Sequence, residues 1–308
     1  MTTLVRDAID TEFLDAARDT LLAGDVRGGA ARLRTVLRAL RTGLPKDAWG
    51  AIAEQVRRHP VHELLLESPF TLRAFAKPRG YSGDAEFMDL IYGDAQPDRA
   101  LSPLGALLQD VEFEATCFQS IRSRRALLAR EIDDVAAARP NAHVLSVACG
   151  FLREIEWSRA VNENRVSITA IDQDPYNVAG VRERYGDFDI QAIPLSIRDL
   201  VRRSPWVGEI DLVYAGNLYD YLHEDIARLL TTVLFRTLRP GGRMLLSNFT
   251  PATEDAAFME AAMDWQLVYR SDSELRSLTA SIPTECIDRI DQFSDANGQV
   301  GYLRLVRR

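Results

Sequence analysis

The sequence has few of the residues that build disulfide frameworks and metal centres. It contains three cysteines, Cys117, Cys149 and Cys286, and four histidines. An odd, widely spaced set of cysteines argues against a disulfide framework and against a cysteine zinc cluster. His59 and His62 stand close together, but no HExxH pattern surrounds them. We therefore expect no metal.

Long apolar runs and a basic charge balance are also missing. No segment approaches the roughly 18 to 20 apolar residues of a membrane-spanning helix. The first residues, MTTLVRDAIDTEF, carry acids where a signal peptide needs an apolar stretch, which predicts a cytoplasmic protein without membrane contact. The net charge is −8, whereas nucleic-acid-binding proteins usually have a basic face, so nucleic acid is not an expected partner. The basic cluster of Arg122, Arg124 and Arg125 is interpreted as a solvated helix face.

The first half of the chain, to about residue 140, is predicted to be helical. Near the N-terminus, apolar residues recur every four positions, as one face of a helix requires: Val5, Ile9, Phe13, Ala17 and Leu21. A further helical pattern runs from about Leu104 to Ala138. An amphipathic N-terminal helix can also pair two subunits, so a homodimer formed through this half stays open.

The second half alternates short apolar runs with helical segments. Five runs are predicted as strands: 143–147, 166–171, 190–193, 210–214 and 244–247. Alternation of this kind is typical of βαβ units on a mostly parallel sheet. Two last strands, 286–293 and 301–306, flank Asn297-Gly298, a dipeptide that strongly favours a hairpin. We therefore predict an α/β domain whose sheet ends in an antiparallel hairpin.

Chemistry-bearing segments follow three of the predicted strands. The turn Ala148-Cys149-Gly150 comes before a helix, whose N-terminus favours a polar ligand. Asp172 ends the second strand, where an acid can accept both hydroxyls of a ribose. Asp174-Pro175 is predicted as a helix start, with Asp174 as the N-cap. The segment 215–223 follows the fourth strand and is rich in Asn, Tyr, Asp and His.

The glycine pattern of dinucleotide-binding proteins is incomplete here. Gly-x-Gly-x-x-Gly would fall on Ala148, Gly150 and Arg153, of which only one is glycine. The third position requires close helix–strand packing, which an arginine does not suit. A nicotinamide cofactor is therefore disfavoured.

These segments, in their order and spacing, resemble the class I S-adenosylmethionine-dependent methyltransferases. VLSVACG resembles the first motif of that family and TAIDQD the second, while IDLVYAGNLYDYL and LRPGGRMLLSNF resemble the motifs of the fourth and fifth strands. The resemblance covers residues 142 to 308. It implies a seven-stranded Rossmann-like methyltransferase sheet, a catalytic domain at 141–308, an N-terminal helical cap domain at 1–140, and S-adenosylmethionine as cofactor.

The resemblance also implies which residues bind the methyl donor. The turn after the first strand would contact the methionine part, Asp172 the ribose, and later segments the adenine and the methyl position. The implied residues are Ala148, Cys149, Gly150, Asp172, Gln173, Ser196, Ile197, Asn217 and Leu218.

The sequence departs from the family pattern in the first motif. Ser146 stands where an acid is usual, and Ala148 and Leu152 stand where two glycines are usual. A bulky Leu152 predicts a turn geometry unlike the commonest one. Arg153 would then reach the carboxylate of the donor.

Candidates for catalysis and substrate binding come from two segments. Asp220, Tyr221 and His223 follow the fourth strand and are the candidates for orienting or deprotonating a nucleophile. Tyr219 is expected to pack inward. In the helical half, a loop rich in Gly and Pro offers Arg79, Tyr81 and Asp84, with Tyr81 as part of a lid or Asp84 simply as a helix N-cap.

The acceptor is expected to be a small metabolite. Nitrogen of an amine or guanidine is slightly favoured because acids are plentiful in these segments: Asp84, Glu86, Asp89, Asp220 and Glu224. Carboxyl O-methylation of a fatty acid-like or other small acid is an alternative, for which Arg79 or Arg270 would bind the acid. A non-catalytic domain that binds a nucleoside or a partner protein is a further alternative.

Overall fold

A computed structural model describes residues 11–97 and 99–308. Val5 and Ile9 of the predicted N-terminal helix lie outside the described residues. Within these ranges, no helix combines the length and the apolar character needed to cross a membrane. The cytoplasmic location stays a prediction.

Eight helices precede the first strand in the described residues, and helices and strands then alternate. The helices are α1 (Glu12–Leu22), α2 (Val26–Gly43), α3 (Lys46–Arg58), α4 (Pro60–Leu65), α5 (Pro69–Ala76), α6 (Ala85–Tyr92), α7 (Pro103–Phe113), α8 (Thr116–Ala138), α9 (Arg159–Asn162), α10 (Pro175–Arg184), α11 (Ile197–Arg202), α12 (Glu224–Thr237), α13 (Ala256–Ala261) and α14 (Asp272–Ser277). The strands are β1 (Ala142–Val147), β2 (Val166–Asp172), β3 (Ile190–Pro194), β4 (Ile210–Ala215), β5 (Leu238–Phe249), β6 (Ile287–Ser294) and β7 (Val300–Arg307). Short 3-10 helices cover Arg153–Trp157, Tyr219–Tyr221 and Thr284–Cys286.

The described residues form two compact units. The first takes in the described residues up to Ile121 together with Glu254–Gln266, and the second comprises Arg122–Thr253 and Leu267–Arg308. The boundary between them falls within α8, and a segment after β5 returns to the first unit. The functional division at residue 140 stays a prediction.

The first unit is helical throughout its described residues. Its core includes a cluster of aromatic side chains in edge or tilted contact: Phe70, Phe87, Phe113, Phe118 and Trp265. The returning helix α13 is entirely buried. Its Glu260 accepts two hydrogen bonds from Arg41, at 2.9 and 2.8 Å, and one from Trp49 Nε1 at 2.7 Å. Because a buried charge needs such partners, these contacts fix the returning segment within the unit.

The helix predicted from Leu104 to Ala138 is interrupted. α7 ends at Phe113 and α8 begins at Thr116, so two residues separate them. The Asp255 carboxylate accepts from the backbone N–H of Cys117 at 3.1 Å. Free N–H groups in the first turn of a helix need partners of this kind. The capping residue, Asp255, lies far along the chain, and no Gly or Pro stands between α7 and α8. The apolar periodicity therefore did not indicate the break.

The second unit is built on one seven-stranded sheet with the order β3-β2-β1-β4-β5-β7-β6. The first five strands are parallel, and β7 lies antiparallel between β5 and β6. Gly298 closes the β6–β7 hairpin with a φ of 69°. The predicted sheet, its mostly parallel order and its Asn-Gly hairpin are thus confirmed.

The segment Pro240-Gly241-Gly242, which precedes the predicted fifth strand, lies inside β5. Ile210 pairs with Leu238, whereas Leu212 pairs with Arg243, so β5 carries the extra residues as a bulge. Gly241 has a φ of 77° in this bulge. Bulges bend a strand without ending its pairing, and β5 is therefore longer than the predicted 244–247.

Candidate active site

The carboxyl ends of the parallel strands bring the predicted donor-binding segments to one edge of the sheet. β1 leads into the turn at 148–152, β2 ends at Asp172, β3 leads to Ser196, and β4 leads to Asn217. In open α/β sheets, ligands bind in the crevice at this edge. Asp172 pairs with Pro194 of β3, and its carbonyl accepts from Leu195 N–H at 2.9 Å. The second and third of these segments are therefore tied together.

The turn after β1 uses left-handed backbone conformation three times. Ala148, Gly150 and Leu152 have φ values of 54°, 52° and 56°. Glycine adopts this region without strain, whereas an L side chain is disfavoured there. The side chain of Leu152 is buried, so packing holds it in this conformation. The substitutions in the first motif therefore do not remove the conformation that glycine favours.

Asp172 is the carboxylate most firmly placed at this edge. Its Oδ2 accepts from Gly150 N–H and its Oδ1 from Asp174 N–H, each at 2.9 Å. Burial raises the pKa of Asp172, while these two backbone hydrogen bonds oppose the rise. The side chain of Asn177 likewise opposes the rise. The two oxygens of a carboxylate offer about four acceptor positions together, so the group keeps acceptor capacity beyond these three partners.

The residues predicted to contact the adenosine lie next to Asp172 in the sequence or follow the neighbouring strand β3. Asp174 accepts from Tyr176 N–H at 3.0 Å as the N-cap of α10, which confirms the predicted helix start. Gln173 is exposed. Ser196 caps α11 by accepting from Asp199 N–H at 3.1 Å, and Ile197 begins that helix. Contacts of Gln173, Ser196 and Ile197 with adenine stay predictions.

The segment after β4 divides into inward and outward side chains. Asn217 and Leu218 are half-buried. Tyr219 is fully buried and its hydroxyl lies 2.9 Å from Thr231 Oγ1, which confirms its packing role. Asp220 is also buried, and its Oδ1 accepts from Phe249 N–H at 2.7 Å.

The three catalytic candidates differ in their surroundings. Burial raises the pKa of Asp220 to about 6, although Arg124 and Arg270 oppose the rise. Tyr221 is half-buried, and His223 is exposed at the N-cap of α12 without a side-chain capping bond. Asp220 is thus a buried carboxyl group with a pKa of about 6. All three catalytic assignments stay predictions.

Arg270 is held by the protein itself. Its guanidinium donates to Tyr219 O at 2.7 Å, to Asn248 Oδ1 at 2.6 Å and to the carbonyl of Leu222. The side chain is 3% exposed. These contacts fix the loop after β4 against β5. The guanidinium thus positions this loop, and the predicted contact of Arg270 with a substrate acid stays a prediction.

Arg153 is likewise engaged within the protein. It is buried in the 3-10 helix after the turn, and its Nη1 donates to Glu156 Oε1 at 3.0 Å. Glu156 also accepts from Tyr185 Oη at 2.7 Å. An arginine committed to a neighbouring carboxylate is poorly placed to bind a second one. The predicted contact of Arg153 with the donor carboxylate is not favoured by this arrangement.

Arg124 is a buried residue whose location the sequence interpretation missed. It was assigned to a solvated helix face, yet it is 2% exposed, as is Arg125. Arg125 donates to Arg153 O at 3.1 Å and to Glu156 at 2.8 Å. Arg124 donates through Nη2 to Asn217 Oδ1. The signal was present, because Arg124 stands three residues after buried Ile121 and four before buried Leu128, which places it on the apolar face of α8.

A second buried acid lies on the face of the sheet near Arg124. Glu154 accepts from Tyr214 Oη at 2.6 Å, and burial raises its pKa while Arg125 and Arg124 oppose the rise. Tyr214 is the sheet partner of Ser146, the residue that replaces the usual acid of the first motif. The 3-10 helix thus supplies a carboxyl group to a face where β1 has none.

The buried thiol of Cys149 lies within the turn. Burial raises its pKa well above the ordinary value, and the charges of Asp172 and Glu154 add to the rise. A thiol with a raised pKa stays protonated and is a poor nucleophile, so Cys149 serves as a small apolar residue. Across residues 11–97 and 99–308, His, Cys, Asp and Glu form no group of three or more that could hold a metal ion.

The substrate candidates of the helical unit lie on the loop between α5 and α6. Asp84 caps α6 by accepting from Phe87 N–H at 2.8 Å, and it receives two hydrogen bonds of 2.9 Å from Arg73. Its carboxylate is buried, which favours the helix-capping interpretation over substrate binding. Arg79 is exposed and Tyr81 is half-buried, and their roles stay predictions.

Comparison with solved structures identifies the fold. It is shared with a possible exported protein from Bordetella parapertussis, 17% identical with a TM-score of 0.61 over 86% of this chain and 98% of that one. A putative methyltransferase from Thermobifida fusca is 15% identical with a TM-score of 0.53, over 73% and 94% of the two chains. Magnesium protoporphyrin IX methyltransferase from Synechocystis, with bound S-adenosylhomocysteine, is 16% identical with a TM-score of 0.51, over 77% and 98%. The sequence matches no protein-family model and no curated protein. The chain thus has the fold of the class I methyltransferases.

Proposed function

We propose that this chain is an S-adenosylmethionine-dependent methyltransferase that acts on a small molecule. The fold supports the class, and one observation carries the donor site. Asp172, at the carboxyl end of β2, is held by the N–H groups of Gly150 and Asp174, and its two oxygens have more acceptor positions than its protein partners fill. That arrangement suits the two neighbouring hydroxyls of a ribose.

The other residues at the edge fit the remaining parts of this donor. The left-handed turn at 148–152 lets a ligand approach the backbone, and Asn217 stands at the end of β4 beside Arg124. Bound there, the donor supplies a methyl group that is already activated by its sulfonium. The protein then has to hold the acceptor in line and exclude water, which contributes roughly 7 to 11 kcal/mol in favourable cases.

The predicted preference for a nitrogen acceptor loses much of its support. Asp84 and Glu86 both pair with Arg73, and Glu224 pairs with Arg228. These three acids form ion pairs within the protein, so they do not form an unpaired acidic surface for a cationic substrate. Asp220 still supports an amine, because it lies directly after the donor-site residues. The acceptor atom therefore stays open between nitrogen and a carboxylate oxygen.

Isothermal titration calorimetry with S-adenosylmethionine, S-adenosylhomocysteine and NAD tests the proposal. We expect one site per chain for the first two and no binding of NAD. Release of S-adenosylhomocysteine in the presence of matched amines and acids then tests turnover and separates an enzyme from a non-catalytic nucleoside-binding domain. Failure of both adenosyl compounds to bind would rule the proposal out.

A further inference from the structure

A buried cation on α8 has an unused hydrogen-bonding group. Arg124 is among the largest fully buried side chains of the protein. Its Nη2 donates to Asn217 Oδ1, but within the described part of the chain nothing accepts from its Nη1. A buried N–H group on a charged side chain is costly to leave without an acceptor.

The surroundings of Arg124 locate its guanidinium at the carboxyl edge of the sheet. Asn217 stands two residues beyond the end of β4. Leu128, one turn further along α8, lies close to Gly216, with its Cδ1 3.2 Å from the position that a Cβ on Gly216 would occupy. This part of α8 therefore packs directly against the loop that follows β4, at the carboxyl ends of the strands.

The acids near Arg124 do not accept a hydrogen bond from its Nη1, although the charge of Arg124 lowers the pKa of both Glu154 and Asp220. Glu154 is engaged with the Tyr214 hydroxyl, and Asp220 with the N–H of Phe249. The adjacent Arg125 provides the contrast, since it is equally buried but donates to Arg153 O and Glu156. Arg125 is thus paired within the protein, whereas Arg124 keeps one N–H donor that a ligand could use.

We propose that Arg124 binds a carboxylate of a bound ligand through its Nη1. A carboxylate is the partner that guanidinium groups pair with most strongly, and the hydrogen bonds are charge-assisted. The inference rests on the proposed function, since it assumes that the ligand lies at this edge. Two ligands bring a carboxylate there: the amino-acid end of the methyl donor, and an acceptor that is itself an acid.

The two sources are separated with a pair of nucleosides. S-adenosylhomocysteine carries the amino-acid end, whereas 5′-methylthioadenosine lacks it and keeps the ribose, adenine and sulfur. If the donor supplies the carboxylate, Arg124→Gln weakens binding of S-adenosylhomocysteine by about 10- to 100-fold and changes binding of methylthioadenosine by less than about twofold. Arg125→Gln is the matched control, because this arginine is equally buried but already paired, and we expect it to leave the ratio of the two affinities unchanged.

An unchanged ratio in Arg124→Gln directs the test to the acceptor. Wild-type and variant protein, saturated with S-adenosylhomocysteine, are then titrated with octanoate, octanamide and octylamine. Binding of octanoate that is lost in Arg124→Gln assigns the site to an acid acceptor. An unchanged nucleoside ratio together with no Arg124-dependent binding of octanoate overturns the proposal.

Two checks keep these outcomes interpretable. If Arg124→Gln fails to fold, Arg124→Lys retains the charge and replaces it in both titrations, with a smaller expected loss because lysine cannot form the paired hydrogen bonds of a guanidinium. If the wild-type protein binds neither nucleoside, the proposed function fails, whereas normal wild-type binding with an unaltered variant removes only the role of Arg124.

Discussion

Gly150 N–H donates to Asp172 Oδ2 over 2.9 Å, so the turn after β1 and the tip of β2 are joined by one hydrogen bond. The bond fixes the carboxylate beside the left-handed turn. The backbone N–H groups thereby orient a carboxylate that is buried at the tip of β2. Both halves of the proposed donor site therefore depend on this one side chain.

Asp172→Asn should weaken binding of S-adenosylhomocysteine by about 10- to 100-fold, because the amide loses an acceptor and the charge that strengthens hydrogen bonds from hydroxyls. Asp174→Asn is the matched control, since Asp174 caps α10 two residues further on and Asn is an equally good N-cap. We expect the control to bind as the wild type does, measured by calorimetry. Equal affinities of the Asp172 variant and the wild type would remove Asp172 from the site.

Ala148→Gly should leave the protein as stable as the wild type or stabilise it by up to about 1 kcal/mol. The left-handed conformation costs an L-residue roughly 1 to 2 kcal/mol, which glycine avoids. The greater freedom of glycine in the unfolded chain destabilises the folded state by about 0.4 to 1 kcal/mol and so cancels part of this gain. Leu152→Gly relieves the same strain but deletes a buried side chain, so it should destabilise by about 2 kcal/mol or more. Urea unfolding of both variants measures the free energies, and a clear loss of stability in Ala148→Gly would contradict the account of the turn.

Turnover of an amine acceptor should rise as the pH passes through about 6, because Asp220 becomes ionised there. The ionised carboxylate can hold the acceptor nitrogen by a hydrogen bond and take up the proton that this nitrogen must lose for methyl transfer, and the protonated form can do neither. Asp220→Asn should abolish this rise while leaving the affinity for S-adenosylhomocysteine within about twofold of the wild type. The pH profile of methyl transfer measures the effect, and an unaltered profile in the variant would exclude Asp220 from catalysis.

Glu112 of α7 should make stability depend on pH. Burial raises its pKa from the ordinary 4.5 to about 7, although Arg34 and the hydroxyls of Ser68 and Thr71 oppose the rise. Because the folded state favours the protonated form, the stabilisation is present below about pH 4.5 and is lost as the pH rises through about 7. The loss amounts to roughly 3 kcal/mol by pH 8.

Glu112→Gln removes this titration, so its unfolding free energy should exceed that of the wild type at pH 8 and approach it at pH 5. Glu114→Gln, which lies just beyond the same helix and is exposed, is the control and should leave the pH dependence between 5 and 8 unchanged. Parallel curves for Glu112→Gln and wild type across this range would show that Glu112 does not titrate as described.

The sheet could be predicted from the sequence because its signals are local. Each parallel strand is a short apolar run, and the Asn297-Gly298 turn and the Asp174-Pro175 helix start are encoded by adjacent residues. The break between α7 and α8 could not be predicted, since its cap is Asp255, more than a hundred residues away.

The candidate site was predictable only in part, for a related reason. Asp172 follows from its place at the end of β2, but the partners of a charged side chain cannot be read from composition. Arg153 and Arg270 are predicted to bind ligands, and the structure adds protein partners that composition does not reveal: Glu156 for the first and backbone carbonyls for the second. Arg124, expected to face solvent, is buried beside Asn217 because it lies on the apolar face of α8.

A crystal structure of the protein grown with S-adenosylhomocysteine tests the central claim most directly. Both ribose hydroxyls should lie within about 3.2 Å of the Asp172 carboxylate oxygens, with the sulfur between the turn at 148–152 and Asn217. A nucleoside bound elsewhere, or a strand edge closed by side chains at saturating ligand, would contradict the assignment of this chain as a methyltransferase.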